Sequence, residues 1–135
     1  MQALRTAVRA DKKAFVAATL KLTDAEAKKF WPIYDAYQRA FELANRQRAR
    51  AVESVVLLDK PLSDPYAKTL ANDLIAADET ELKARRTLHN RLMKPLPGRS
   101  VMPAAKAARY LQLESKIRAL LAYDIASTIP LVKVQ

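Results

Sequence analysis

The sequence contains no cysteine, one histidine and one glycine. Without cysteine there are no disulfides, thiolate nucleophiles, Fe–S clusters or cysteine zinc sites. The lone histidine, His89, speaks against a two-histidine metal motif and against a His-based triad. With glycine confined to Gly98, the tight turns that sheets and barrels require lack their usual residue. No Gly-rich phosphate loop can be drawn, and no run approaches the roughly 20 apolar residues of a membrane-spanning helix. Carboxylates such as Asp78, Glu79 and Glu81 stand among lysines and arginines rather than in an evident pocket. The reading is no enzyme, no metal and no cofactor.

What is abundant is alanine, at 25 of 135 residues, within a chain that is 50% hydrophobic. Alanine is the best helix former, and this length suits one domain. A single all-α domain spanning residues 1–135 is therefore expected. Basic residues outnumber acidic ones by 24 to 14, a net charge of +10. The excess sits at the ends: residues 1–21 carry +4, residues 95–135 carry +4, and the longer middle only +2. Brought together in a bundle, the two ends would present one positive surface.

Punctuation divides the chain into four helices. The first spans about residues 4–20, with Leu4, Val8, Phe15 and Ala18 on one face. At Leu22-Thr23-Asp24-Ala25-Glu26, Thr23 can cap the next helix and Glu26 can close a capping box. The second helix runs from Asp24 to about Leu58. Its seam is Ala27, Phe30, Tyr34, Tyr37, Phe41, Ala44, Arg48, Ala51, Val55 and Leu58, at alternating three- and four-residue spacing. About 35 residues at roughly 1.5 Å each make a rod of about 50 Å. The seam stays in register across Pro32, so a kink is expected there rather than a stop. Lys60-Pro61-Leu62-Ser63-Asp64-Pro65 is the next break, with Ser63 or Asp64 as cap. The third helix continues to about Met93 through Leu70, Leu74, Ala77, Glu81, Ala84, Leu88 and Leu92, and the short connection makes helices two and three an antiparallel hairpin. After the loop Pro95-Leu96-Pro97-Gly98, a fourth helix spans about 103–128 and Pro130 ends it.

Phe30, Tyr34, Tyr37 and Phe41 fit the seam and read as core, whereas Trp31 lies one position off it and is a candidate contact for a client or second subunit. Arg48 and Glu81 interrupt their seams. The hairpin register sets Arg48 opposite Ile75 and within a turn of Asp78, so these charges read as a structural pairing that fixes register. On the fourth helix Arg109, Gln112 and Lys116 share a face, and Arg109 and Lys116 are candidate binding residues. Glu114 and Arg118 are expected to form an i, i+4 pair. Apolar residues there, Tyr110, Leu111, Leu113, Ile117, Leu120, Leu121 and Ile125, occur on more than one side and suggest a homodimer.

The element Leu22-Thr23-Asp24-Ala25-Glu26 resembles the LTxxQ signature of the Spy/CpxP-like family of bacterial periplasmic helical proteins, with glutamate in place of glutamine. Leu62-Ser63-Asp64-Pro65-Tyr66 stands as a degenerate second copy at an offset of 40 residues. Phe30-Trp31-Pro32-Ile33-Tyr34, the stretch 106–116 and Ile125-Ala126-Ser127-Thr128-Ile129-Pro130-Leu131-Val132 look like a little-characterised branch with the same layout. The resemblance implies a long helical hairpin, often dimeric with a concave face, and an ATP-independent chaperone-like or envelope-stress role on unfolded or envelope protein clients. It also implies the periplasm, with the export signal lying outside these 135 residues. Metal-handling relatives depend on histidine-rich segments, which this chain lacks. Two other readings stand beside it. One is a basic nucleic-acid-binding protein, which the charge suits but the lack of a recognition-helix motif opposes. The other is a purely structural dimer.

Overall fold

The computed structural model describes residues 2–56 and 60–134, without the side chains of residues 54–56. Four helices follow one another: α1 (Gln2–Leu20), α2 (Asp24–Val56), α3 (Asp64–Met93) and α4 (Ala104–Ala126). Among the described residues there is no strand, and no helix is long and apolar enough to cross a membrane. The seam side chains expected at Val55 and Leu58 lie outside what is described.

The capping chemistry at the start of α2 forms in full. Thr23 N donates to Glu26 Oε1 at 2.9 Å, and Glu26 N donates to Thr23 Oγ1 at 3.2 Å. Lys106 Nζ joins the same carboxylate at 2.7 Å. That hydrogen bond, then the Thr23 backbone N–H, holds the Glu26 carboxyl below its usual value. Ser63 occupies the corresponding position before α3 but makes no side-chain cap; Pro65 in the first turn leaves one fewer N–H to satisfy. α2 passes through Pro32 as one helix. The turn at 96–99 closes through Arg99 N to Leu96 O at 2.9 Å, and Gly98 at φ +76° takes the left-handed position that glycine adopts without steric cost.

α1 departs from the expected single rod. Asp11 has extended backbone (φ −165°, ψ 101°) in its middle, and its Oδ1 accepts from Ala14 N at 3.0 Å. Asp11 is thus an N-cap that splits α1 into two segments. The break rotates the face: Val16 and Leu20 are buried, Leu4, Val8 and Phe15 pack at the margin of the core, and Ala18 is exposed.

α2 packs on α3 as the antiparallel hairpin, α4 lies against α3, and α1 lies against α4. The aromatic part of the core sits at one end, where Phe30, Tyr34 and Tyr37 meet Leu88, Leu92, Val101, Met102 and Tyr110. Phe30 and Tyr110 are fully buried and meet edge-on, with centroids 4.8 Å apart at 87°. Towards the other end the buried contacts of the hairpin are alanines, Ala44, Ala51 and Ala77. Small side chains let two helices approach closely but fill little space beside a third. The register differs slightly from expectation: Ile75 is 58% exposed, and Asp78 and Glu81 face Arg48 instead. The inward row of α3 runs Ala77, Glu81, Ala84, Leu88 and Leu92, which leaves Ile75 off its edge.

Candidate binding groove

The alanine-packed end leaves a groove of about 700 Å³ between α2, α3, the last turns of α4 and the segment after it. Phe41, Ala49 and Val52 of α2 line one wall at helical spacing. Leu121 and Ile125 of α4 line the other, at 39% and 44% exposure, and Ile129 and Pro130 close it. The lining is mainly aliphatic, a contiguous apolar surface rather than scattered single residues.

The floor is charged and internally paired. Arg48 Nη2 reaches Asp78 Oδ1 at 2.7 Å and Glu81 Oε2 at 2.6 Å, while Arg118 Nε reaches Glu81 Oε1 at 2.5 Å. Asn45 Oδ1 accepts from Arg48 Nη1 at 3.1 Å. Glu81 is only 4% exposed. Burial alone would push its carboxyl up, but hydrogen bonds from Arg118 and Arg48 outweigh this and leave it below the usual carboxylate value. With the floor's charges matched among themselves, the groove offers apolar contact more than a fixed charge.

A second buried carboxylate organises the aromatic end. Glu114, 5% exposed, accepts from Tyr110 OH at 2.8 Å, Gln38 Nε2 at 3.0 Å and Lys12 Nζ at 3.1 Å. Three helices therefore converge on one side chain. Burial, then the negative charge of Glu114, pushes the Tyr110 phenol far above its ordinary value, so it remains a donor. The i, i+4 pair expected between Glu114 and Arg118 does not form. Glu114 points into the core toward Lys12, and Arg118 turns to Glu81, because each finds a more buried partner on another helix.

Trp31 is half-buried, edge-on to Phe30 (5.0 Å) and Tyr34 (5.1 Å), with Lys13 Nζ 5.3 Å above its ring. Its face is therefore already partly covered by α1. Arg109 and Lys116 are exposed on α4 together with Gln112. No hydrogen bond or ring contact among the described residues joins Trp31 to either. Of the α4 apolar residues, Tyr110, Leu113, Ile117 and Leu120 are consumed by the core, leaving Leu121 and Ile125 to the groove. Among the described residues no three His, Cys, Asp or Glu side chains gather as metal ligands.

Sequence reasoning missed the Glu114 cluster and the arginine clasp by Arg118. A signal was present: Glu114 follows Tyr110 by four residues on the inner face of α4, as Arg48 interrupts the seam of α2. Compared with protein-family models, with curated proteins and with solved structures, the chain matches none.

Proposed function

We propose that the protein is a non-enzymatic, ATP-independent chaperone-like binding protein of the bacterial periplasm. The observation that carries this reading is the 700 Å³ apolar groove with its self-paired floor. Its occupant is an apolar segment of an unfolded envelope protein. A groove whose floor charges are already matched holds such a segment through side-chain burial, at about 25 cal/mol per Å² of apolar area. The net charge of +10 raises the encounter rate with acidic clients, and weak apolar retention permits release without nucleotide. The periplasmic address and client class rest on the resemblance carried by Leu22-Thr23-Asp24-Ala25-Glu26 and Phe30-Trp31-Pro32-Ile33-Tyr34. The reading includes a homodimer, formed through exposed apolar residues outside the groove such as Tyr123, Leu131 and Val134.

The test is aggregation of a chemically unfolded client, followed by light scattering with chelator present and ATP absent. Suppression should weaken as salt shortens the Debye length below roughly 8 Å, but should not vanish. Leu121→Asp with Ile125→Asp should abolish most of it, whereas charge reversal of Arg109 and Lys116 should slow capture. Trp31→Ala should shorten residence to the extent that the uncovered ring edge meets clients. Absence of suppression at severalfold excess, with tight salt-sensitive DNA binding instead, would replace this reading by the nucleic-acid one.

A further inference from the structure

A second cavity, of about 250 Å³, lies between α3 and α4 and has different chemistry. Arg85, Arg86 and His89 form its α3 wall, and Ser115 and Arg118 its α4 wall. It opens within the most one-sided stretch of the chain: residues 83–113 carry eight Lys and Arg and no Asp or Glu. Glu114 also lines the α4 wall, but its carboxylate is engaged by Lys12, Gln38 and Tyr110, as the neighbouring Glu81 is by Arg48 and Arg118. Arg85 is half-buried and Arg86 exposed, and neither forms an ion pair with a described carboxylate. A half-buried guanidinium without a counter-charge loses hydration and gains nothing in return unless an anion joins it.

Tyr37 supplies an independent indication. It also lines this cavity and is only 5% exposed, and its hydroxyl makes no hydrogen bond to another described residue. The charges acting on that hydroxyl are Glu114, Glu81, Arg85 and Arg118, three of which line the cavity with it. Burial first, and then the Glu114 charge, pushes this phenol above its ordinary value, which keeps it a proton donor. The hydroxyl oxygen is not closed off from solvent, so it is available to donate to a ligand in the cavity.

We infer that this cavity binds a phosphate group, either as inorganic phosphate or as the monoester headgroup of a phospholipid. Two guanidiniums on adjacent residues provide charge for a dianion and forked N–H donors that match its oxygens. The hydroxyls of Tyr37 and Ser115 approach from α2 and α4, so donors surround the anion on several sides, as a tetrahedral oxyanion requires and a planar carboxylate does not. Leu82 and Leu111 also line the cavity and give the ester carbons an apolar margin. The inference is independent of the chaperone-like reading and uses none of the groove residues except Arg118 and Glu81.

The experiment titrates the whole protein with sodium phosphate near neutral pH at constant ionic strength, followed by amide chemical shifts. A parallel arm measures co-sedimentation with vesicles of phosphatidylcholine containing phosphatidic acid, against matched vesicles containing the diester phosphatidylglycerol. Saturable shifts centred on α3 and α4 beside the cavity are expected. Arg85→Gln with Arg86→Gln should weaken binding by about tenfold or more, and Tyr37→Phe by a few-fold, with unchanged melting temperatures. Arg39→Gln with Arg46→Gln, which removes two exposed arginines that do not line the cavity, should leave binding intact. Saturable binding of phosphate alone that the double variant loses supports the site with free phosphate as its source. Retention on phosphatidic acid vesicles only, lost in the same variant, supports it with the headgroup as source. Unsaturable shifts without preference for phosphatidic acid, or equal loss in the Arg39/Arg46 control, overturns the inference in favour of a diffuse basic face.

Discussion

Glu81 on α3 and Arg118 on α4 meet at 2.5 Å, and the second oxygen of the same carboxylate is held by Arg48 of α2 at 2.6 Å. One buried acid therefore fixes the relative positions of three helices beneath the groove. Removing it strands the Arg118 guanidinium and leaves Arg48 with Asp78 alone, and Glu81→Ala should cost about 3 kcal/mol in urea unfolding at pH 7. The pH dependence follows from the lowered carboxyl. The stabilisation is complete above the unfolded glutamate value of about 4.3 and is lost as pH falls through the lower folded value. The stability difference between wild type and Glu81→Gln should therefore shrink on acidification from pH 5 toward about pH 3.

The Lys12–Glu114 pair should tolerate joint replacement far better than the loss of one partner. Lys12→Ala leaves a carboxylate that is 5% exposed without its cation, at a cost of about 2 kcal/mol, moderated because Gln38 and Tyr110 still donate. Lys12→Met, Glu114→Met and Tyr110→Phe together remove the ion pair and the buried hydroxyl that donates to it, and should fall within about 1 kcal/mol of wild type. Denaturant midpoints of the combined variant and of its single replacements against wild type measure this coupling, and additive losses would contradict it.

Pro32 stands in the interior of α2, exposed and without a backbone N–H to give the preceding turn. Pro32→Ala should restore that hydrogen bond and raise stability by about 1–2 kcal/mol, part of proline's penalty being offset by its restriction of the unfolded chain. Residual dipolar couplings should show α2 straightening at that turn. Unchanged couplings would mean that Pro32 imposes no bend.

Association is the fourth expectation. Tyr123 is 68% exposed, Leu131 95% and Val134 85%, all outside the groove lining. Sedimentation equilibrium at high micromolar concentration should show a dimer, and Tyr123→Glu with Leu131→Glu should return it to monomer. A wild-type protein that stays monomeric there would remove the dimer from the proposed function.

What could be read from the sequence was what depends on near neighbours. Thr23 and Glu26 announce their capping box because both partners lie within one turn, and Gly98 announces its turn for the same reason. The seam from Phe30 through Ala51 survives because a heptad repeats one local geometry many times. Glu114 and Arg118 were misassigned to each other because four-residue spacing is visible in a sequence whereas competition from Lys12 and Glu81 on other helices is not. Ile75 failed similarly: turn placement gives a hairpin register only to within a few residues, which is enough to trade Ile75 for Asp78 opposite Arg48. The unpaired state of Arg85 and the isolation of the Tyr37 hydroxyl are properties of what surrounds them, and no spacing rule encodes that.

The extended residue at Asp11 has a dynamic consequence. The first half of α1 contributes no fully buried side chain; it is held by Leu4 and Val8 at the core margin and by the Arg5–Asp124 ion pair at 3.1 Å. Because Asp11 already caps the second half, the first half can peel away without leaving Val16 and Leu20 on a helix with a bare start. The opening free energy of the chain should therefore change abruptly rather than gradually along α1. Amide hydrogens before Asp11 should exchange with solvent through a cheap local excursion, while those beyond Ala14 wait for the whole bundle to open. The molecule carries a detachable leading segment whose release leaves the rest of its architecture undisturbed.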